Sequence, residues 1–462
     1  MRILFVNPCI RPDNPRKVFP VGLGYVVTAV KKAGYKFDLL DIDAFRYSDD
    51  YIEDFISKNI YDVIAFGCLV THFKWAKYFT DIVKEKQPNC KIIVGNSVAS
   101  SVTEILLTKT FTDIAVLGEG DITIVELLES LQKDKSLYLV KGIAFMEGGK
   151  VIFTEKRDVI KDINTIQFID REIFDIREYL NASRYNAHEP YPMPEEDLIV
   201  MNVNTARGCP FRCTFCYNVF TDESIRYRWR DISSIISEIK YLIKTYGANY
   251  IQLYDELTFA NKKRIGEFVD SVIKEKLNIY WTGVILAGVL DEDDGLLAEK
   301  LKQSGCVGMG FSLESADEEI LLSMQKKINL SKFIITRRIL KEANIATHTS
   351  VVFGFPQETP ETIKKTIDFC IKEQLSPSAG FLLPMPKTPI YKYALERGLI
   401  KDEYEYLLGL GDRQDFHINL TSMTDDIYIS TVKSEVKRCQ QELGINLDDP
   451  MKTVKFRSRD KI

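Results

Sequence analysis

Strands and helices alternate along the first 140 residues of this 462-residue chain. Short runs rich in Val, Ile and Phe read as buried strands, and stretches with helical spacing lie between them. This alternation predicts a doubly wound parallel sheet, a Rossmann-like α/β domain that binds ligands at the carboxyl ends of its strands. The predicted strands are 2–7, 37–41, 63–67, 91–95 and 114–117.

A second alternating region begins at residue 198. Its six predicted strands lie near 198–206, 249–254, 279–285, 308–313, 346–353 and 378–383. Six βα units predict a partial (βα)6 barrel of the TIM type, with its active groups at the carboxyl ends of the strands. The predicted domains are a Rossmann-like domain at 1–140, a connector at 141–195 that begins with a hairpin at 142–153, a barrel core at 196–395 and a small helical C-terminal domain at 396–462.

Three cysteines stand at C-x3-C-x2-C spacing in the loop after the first predicted barrel strand: Cys209, Cys213 and Cys216. Thiolates are soft ligands, and iron–sulfur clusters use them. The spacing fits neither the usual ferredoxin run nor the paired C-x2-C knuckles of zinc sites. Three thiolates would leave one iron of a [4Fe–4S] cluster open to a small-molecule ligand.

Composition excludes several classes of protein. A formal net charge of −5 predicts no general affinity for nucleic acids. No apolar run reaches the roughly 18 residues of a membrane span, and the start MRILFVNP reads as a strand rather than a signal peptide. Nine cysteines, three of them in one motif, favour a reducing compartment. We therefore expect a cytoplasmic protein that acts on a small molecule.

The cysteine motif resembles the signature of the radical S-adenosylmethionine (SAM) superfamily, including Gly-Cys-Pro at Cys209 and the aromatic Phe215 before the third cysteine. In that family the open iron binds the amino and carboxylate groups of SAM. The resemblance implies a [4Fe–4S] cluster on the three cysteines, SAM beside it with Phe215 on the adenine face, and an external electron donor of the flavodoxin or ferredoxin type. Three cysteines that lie close together without a cluster are the alternative.

Other predicted strand ends match elements through which this family contacts SAM. Asp255 and Glu256 suit an α-ammonium, which needs an acceptor, although a helix cap would also explain them. Ser312 and Glu314 resemble the element that meets the ribose or methionine part of SAM, with a solvated turn as the alternative. Gly354 would let the backbone approach adenine, or serve only a turn. The full set implied by the resemblance is Phe215, Tyr254, Asp255, Glu256, Ser312, Glu314 and Gly354.

Lys387 lies in Pro-Met-Pro-Lys-Thr-Pro after the sixth strand, where the family commonly has P-x-P-G-T. A lysine in place of that glycine could point into a substrate pocket or be a solvated loop lysine. The helical residues beyond 396 are expected to close the substrate cavity. The sequence identifies no side chain that accepts hydrogen or transfers protons.

The first domain resembles the cobalamin-binding domain of the B12-dependent radical SAM enzymes. Asn-Pro after the first strand, Val-Gly-Asn and Gly-Glu-Gly-Asp stand where that family has NPP, GG and GEGE, with Asn96 replacing a glycine and Asp121 a glutamate. The resemblance implies a cobalamin site at the carboxyl ends of the strands. Its expected residues are Pro8, Leu23, Cys68, His72, Trp75, Gly95, Asn96, Ser97, Gly118, Glu119 and Gly120.

Cobalt ligation by a histidine is not expected, because the Asp-x-His-x-x-Gly motif of other B12 proteins is missing. We predict cobalamin bound base-off, with its dimethylbenzimidazole tail near Gly95, Ser97 and Gly118. His72 could still ligate cobalt, or be a hydrogen-bonded loop histidine. Trp75 could cover the lower cobalt face, or pack between helix and sheet. A vestigial domain without cobalamin is a further alternative.

The cysteines of the first domain do not predict a second cluster. Methylthiotransferases carry a second cluster in their first domain, but Cys90 lies at the entry of its strand, on the opposite sheet edge from Cys9 and Cys68. The resemblance therefore favours a cobalamin-dependent radical SAM methyltransferase that acts on an unactivated carbon. The alternatives are radical dehydration, decarboxylation, cyclisation or rearrangement with a non-methylating B12 domain, and a non-catalytic iron–sulfur or SAM-binding protein.

Overall fold

The computed structural model describes residues 1–187, 191–220, 227–445 and 451. These residues form two compact units. The first comprises Met1–Ala182 and Ile400–Gly411, and the second comprises the other described residues. The described residues of the predicted C-terminal domain at 396–462 divide between the two units. The tail from 452 onward lies outside the described residues.

The first unit is built on one seven-stranded sheet of order β2-β1-β3-β4-β5-β6-β7, in which β1 to β5 are parallel. Its strands are β1 (Ile3–Asn7), β2 (Asp38–Asp41), β3 (Val63–Gly67), β4 (Lys91–Gly95), β5 (Ile114–Val116), β6 (Ile143–Glu147) and β7 (Lys150–Phe153). Its helices before residue 183 are α1 (Val21–Lys32), α2 (Ile42–Phe45), α3 (Asp49–Lys58), α4 (Phe73–Lys86), α5 (Asn96–Ser101), α6 (Thr103–Lys109), α7 (Gly120–Gln132) and α8 (Ile176–Asn181). The predicted doubly wound α/β fold is confirmed.

Burial explains why these runs are strands. All five residues of β1 are buried, as a central parallel strand must be when helices cover both faces of its sheet. The core joins Phe5 of β1, Val27 of α1 and Leu127 of α7. Its position leaves the segments after β1, β3, β4 and β5 at one edge of the sheet, where a ligand would bind.

The hairpin predicted at the start of the connector is present, and it belongs to the first sheet. Strands β6 and β7 pair antiparallel beyond β5, and the turn at Gly148 and Gly149 has two positive φ angles, which glycine adopts without steric cost. Farther along, the hydroxyl of Tyr179 donates to Asp41 at 2.6 Å. Most of the predicted connector, residues 141–182, is thus part of the first unit.

The second unit holds a parallel sheet of order β14-β13-β12-β11-β8 and a parallel pair, β15-β16. Its strands are β8 (Val200–Val203), β9 (Ala206–Arg207), β10 (Arg228–Trp229), β11 (Tyr250–Leu253), β12 (Tyr280–Val284), β13 (Cys306–Gly310), β14 (Ala346–His348), β15 (Ser350–Phe353) and β16 (Ser378–Phe381). Its helices are α9 (Ser183–Asn186), α10 (Ile232–Tyr246), α11 (Lys262–Lys274), α12 (Gly295–Gln303), α13 (Glu318–Ser323), α14 (Leu330–Glu342), α15 (Pro360–Lys372) and α16 (Pro389–Glu396).

The fifth predicted barrel strand is interrupted in the structure. It was expected to run through 346–353, but it ends at His348 and restarts at Ser350. The Thr349 hydroxyl accepts a hydrogen bond from the backbone N–H of Leu313 at 3.0 Å. At this point Leu313 is therefore bonded to a side chain and not to the backbone of the strand. A parallel bridge between Glu314 and Val351 joins the two sheets just beyond this point.

The last two helices belong to different units. Helix α17 (Glu403–Gly409) packs in the first unit, where the ring of Tyr404 meets Phe73 edge-on at 6.0 Å. Helix α18 (Asp425–Glu442) packs in the second, and the hydroxyl of its buried Tyr428 donates to the carbonyl of Phe353 at 2.7 Å. Among the described helices, none has the length and hydropathy of a membrane span.

Candidate functional site

The three-cysteine loop begins directly after β9, at the carboxyl end of the first barrel strand, and its middle is anchored to distant segments. Thr214 donates its backbone N–H to the carbonyl of Met324 at 2.9 Å and its hydroxyl to Ser323 at 3.0 Å. The N–H of Ile390 in turn donates to Thr214 at 3.2 Å. These bonds attach the loop to the end of α13 and the start of α16, which supports its position above the barrel.

The chemistry of the three thiols fits an iron–sulfur cluster. None of them is in a disulfide. Burial raises the pKa of Cys213, and raises that of Cys216 to about 11, while the charge of Lys326 opposes both shifts. Within the described part of the chain, no three His, Cys, Asp or Glu side chains already surround one metal-sized point.

Glu314 occupies a strained position beside this loop. Its φ of 65° lies in the left-handed region, which costs a residue with a side chain roughly 1–2 kcal/mol. Its backbone is fixed by bonds with Ser350 at 2.9 Å and Val352 at 3.0 Å. Strain of this kind persists where the surroundings impose it, and it is concentrated at functional sites.

Lys326 is the partner of the Glu314 carboxylate, with Nζ 3.3 Å from Oε1. Burial lowers the pKa of Lys326, but the charges of Glu314 and Cys213 outweigh it and leave the pKa raised. The lysine is therefore a cation held between a carboxylate and the cysteine loop. Sequence reasoning missed it, because in Met-Gln-Lys-Lys it has the local pattern of a solvated lysine.

The acidic pair after β11 has two different partners. The carboxylate of Asp255 accepts from the loop that leads to Cys209, including the backbone N–H of Thr205 at 2.7 Å. Glu256 accepts from the hydroxyl of Tyr217 at 2.8 Å, directly after the third cysteine. Tyr254 is exposed. Glu256 thus lies at the cysteine loop, and Asp255 is directed at the protein segment that precedes it.

Gly354 has a structural reason to be glycine that the sequence did not show. Its φ is 113°, and a Cβ there would collide with the hydroxyl of Tyr428 from α18. Phe215 packs edge-on against Phe355 with ring centroids 5.9 Å apart. Ser312 lies in the turn between β13 and Glu314. Contact of these residues with SAM remains a prediction.

Lys387 has a φ of 67°. This left-handed conformation explains why the resembling family uses glycine at the same position. The lysine keeps the turn despite the cost of its side chain. Its contact with a substrate remains a prediction.

In the first unit, the segment after β4 has a left-handed backbone conformation, which glycine favours. Asn96, which replaces a family glycine, has a φ of 68°, and asparagine tolerates that region better than most residues with a side chain. The side chain of Ser97 accepts from the backbone of Val70 at 3.0 Å. Gly95, Asn96 and Ser97 therefore meet the segment after β3. Gly118, after β5, donates its N–H to Ser100 at 3.1 Å.

Both ring nitrogens of His72 already have partners. Nε2 lies 3.1 Å from the carbonyl oxygen of Ile10, so it carries the proton, and Nδ1 accepts from the hydroxyl of Thr71 at 3.0 Å. The Nδ1 nitrogen thus faces the Thr71 hydroxyl, and cobalamin without a histidine on cobalt remains a prediction. Cys68 is buried, which raises its pKa, and its thiol points at the carbonyl of His72 at 3.5 Å.

The remaining predicted cobalamin residues have packing or linking contacts. Trp75 stacks on Phe79 at 5.0 Å and meets Phe66 of β3 edge-on at 5.5 Å, which is helix–sheet packing. The Glu119 carboxylate accepts from the backbone of residue 160 at 2.8 Å. Pro8 follows β1, Leu23 packs on the core from α1, and Gly120 begins α7. Their contact with cobalamin remains a prediction.

Comparisons with known proteins match the two parts of the chain to two family models. Residues 203–370 match the family model of the radical SAM superfamily, and residues 15–128 match that of the B12 binding domain. An uncharacterized methyltransferase of Pyrococcus horikoshii is 27% identical over 87% of this chain and 84% of its own length. An anaerobic magnesium-protoporphyrin IX monomethyl ester cyclase of Cereibacter sphaeroides is 25% identical over 88% of this chain, which spans 66% of that relative.

A solved structure has the same fold. The radical SAM methyltransferase TsrM from Kitasatospora setae, with cobalamin and a [4Fe–4S] cluster bound, aligns with a TM-score of 0.67 at 17% identity, over 86% of this chain and 78% of that one. At this identity the likeness establishes architecture alone. The architecture predicted from the sequence is confirmed.

Proposed function

We propose that this chain, which belongs to the radical SAM enzymes that carry a B12 binding domain, is a methyltransferase acting on an unactivated carbon of a small molecule. One observation carries the proposal: a loop of three thiols at a barrel strand end and a B12 binding domain occur in one chain. The methyltransferases among its relatives support it. An external one-electron donor of the flavodoxin or ferredoxin type would be the partner.

The proposed chemistry divides between cofactors and protein. A [4Fe–4S] cluster with SAM supplies a 5′-deoxyadenosyl radical when both are bound, and cobalamin supplies a transferable methyl group. The residues of the chain bind, orient and exclude water. Cys209, Cys213 and Cys216 would hold the cluster. Glu314 and Lys326 would present a fixed carboxylate and a fixed cation to the charged groups of SAM.

A second candidate function is a radical cyclisation without methyl transfer. The Cereibacter cyclase favours it, because that relative matches 88% of this chain. In this case the B12 binding domain would serve another step or none. The two candidates differ in one measurable product, a methyl group on cobalt.

The test uses the full chain, purified without oxygen and reconstituted with iron, sulfide and hydroxocobalamin. After reduction and addition of SAM with a labelled methyl group, we expect S-adenosylhomocysteine and labelled methylcobalamin in equal amounts. Reduced protein without cobalamin is the control and should give only 5′-deoxyadenosine. Deoxyadenosine formation without methyl transfer to cobalt would contradict the methyltransferase proposal and favour a radical reaction without methyl transfer, such as cyclisation.

Cobalamin is expected to bind without a histidine on cobalt. The reason is that both nitrogens of His72 are already hydrogen-bonded. The paramagnetic resonance spectrum of the cob(II)alamin form should show no nitrogen superhyperfine splitting, and His72→Gln should leave it unchanged. A splitting that disappears in His72→Gln would show that this histidine turns toward cobalt.

The affinity for SAM is expected to depend on the Glu314 carboxylate. Glu314→Ala should weaken SAM binding by about 1–3 kcal/mol, the value of a hydrogen bond to a charged group. Glu314→Gln keeps the shape and is the matched variant, with an intermediate loss. Binding is measured by the SAM-induced change in the spectrum of the reduced cluster. Wild-type affinity in both variants would limit Glu314 to pairing with Lys326.

A further inference from the structure

Three consecutive residues before the cysteine loop, Asn204, Thr205 and Ala206, are held by side chains from other elements. On the donor side, Asp255 accepts from the side-chain amide of Asn204 at 2.7 Å, the N–H of Thr205 at 2.7 Å, the hydroxyl of Thr205 at 2.7 Å and the N–H of Ala206 at 3.0 Å. The Asp255 carboxylate therefore bonds to every one of the three residues. It approaches them from the end of β11, about fifty positions later in the chain.

The backbone carbonyl groups of the same segment accept hydrogen bonds from Arg230, which is in turn bonded by Arg264. Arg230 donates from its guanidinium to the carbonyl of Asn204 at 2.8 Å and from its backbone to the carbonyl of Thr205 at 2.9 Å. Arg264 of α11 donates to the carbonyl of Arg230 at 2.8 Å. Arg230 is itself paired with Glu238, and both side chains are almost fully buried. Charged side chains thus fix both edges of the strand that leads to Cys209.

The bonding capacity of Asp255 decides between two roles. An ionised carboxylate has about four acceptor sites, and Asp255 already receives four hydrogen bonds from its own chain. Oδ1 receives three of these bonds and Oδ2 receives one, so a SAM ammonium would have to displace a donor at Oδ1 or share Oδ2 with the Thr205 hydroxyl. Displacing a donor would leave a polar group without its partner inside the protein, which costs more than a typical hydrogen bond contributes.

We infer that Asp255 is a positioning residue that fixes the segment before Cys209, and that it is not a ligand of the SAM amine. This inference rests on the proposed function, because the segment can position a cluster ligand only if a cluster binds. Without the carboxylate, the N–H groups of Thr205 and Ala206 lose their acceptor. The segment then gains freedom, and Cys209 no longer has one position relative to Cys213 and Cys216.

The first measurement uses the full chain without iron, so it does not depend on any cofactor. Alkylation of Cys209 by iodoacetamide is followed by mass spectrometry in wild type, Asp255→Ala and Asp255→Asn. We expect Cys209 to react roughly tenfold faster in Asp255→Ala, as loss of a charged hydrogen bond would allow, with Asp255→Asn in between because its amide oxygen still accepts. Glu373→Gln, which removes a partly buried carboxylate paired with Arg337 elsewhere in the unit, should react at the wild-type rate.

The second measurement uses the reconstituted, reduced protein. The variants should show an altered paramagnetic resonance spectrum and lower iron content before SAM is added, while SAM still shifts the spectrum. Wild-type alkylation and spectra without SAM, combined with loss of the SAM-induced shift, would overturn the inference and make Asp255 a SAM ligand. If wild type binds no cluster, the proposed function fails, and the alkylation rates still decide whether Asp255 fixes the segment. If Asp255→Ala does not fold, Asp255→Asn is compared with Glu373→Gln in the same way.

Discussion

Replacing Cys209, Cys213 and Cys216 together with alanine is expected to abolish iron binding and all SAM cleavage. The three thiols are the donors that one loop supplies at the carboxyl end of the first barrel strand, and thiolates are what iron–sulfur clusters require. The broad visible absorbance of thiolate-to-iron charge transfer should disappear, and iron per chain should fall to the background of unreconstituted protein. Each single variant should lose most of the bound iron as well.

The matched control replaces three other cysteines of the same unit, Cys306, Cys370 and Cys439. All three are buried and lie in β13, α15 and α18, away from the loop. This variant carries the same number of thiol losses and should keep its iron and its SAM cleavage. A full complement of iron in the Cys209, Cys213 and Cys216 variant would contradict the assignment of the cluster ligands.

The second prediction concerns how stability changes with pH. It depends on Glu358, a buried carboxyl in the second unit. It is 1% exposed, and it accepts from the hydroxyl of Thr362 at 2.7 Å and the N–H of Gly354 at 3.2 Å. Burial raises the pKa of Glu358 to about 7, against roughly 4.3 in an unfolded chain. Between these two values the folded protein holds a proton that the unfolded chain has released.

The sign of the effect follows from this difference. The stabilisation is fully present below the unfolded pKa and is lost as pH rises toward about 7. From pH 5 to pH 8 the free energy of unfolding should therefore fall by about 3 kcal/mol on account of this one group. Glu358→Gln cannot titrate and should lose this component of the fall.

Urea unfolding of the iron-free protein at pH 5 and pH 8 measures this fall in the free energy of unfolding. The change with pH is compared between wild type and Glu358→Gln. Glu373→Gln, which removes the partly buried carboxylate paired with Arg337, is the control for the loss of a carboxylate elsewhere in the unit. Equal slopes for wild type and Glu358→Gln would mean that Glu358 is ionised in the folded protein at pH 5.

Local pattern was sufficient to predict most of the strands. β3 and β4 have the predicted bounds, because β-branched runs end there at glycine. The interruption at Thr349 was not predictable, because it depends on a hydrogen bond with Leu313, which is 36 positions away. The same holds for α17, whose place in the first unit depends on the contact of Tyr404 with Phe73.

The candidate site divides in the same way. The sequence located the cysteine loop and the carboxylates after β11 and β13, since parallel strands bring their carboxyl ends to one edge. It did not show which groups those carboxylates meet. The partner of Glu314, Lys326, lies in a polar stretch without any distinguishing pattern. The four donors to Asp255 come from a segment that is only juxtaposed by the β8–β11 pairing.

The placement of α17 has a practical consequence for anyone who divides this protein. The chain leaves the first unit after Ala182 and returns to it for Ile400–Gly411. A fragment that stops at residue 182 would lack Tyr404 and uncover Phe73, which is fully buried in the whole chain. Grafting the B12 binding domain onto another barrel therefore has to carry Ile400–Gly411 along with Met1–Ala182, and a fragment cut at residue 182 alone is expected to aggregate.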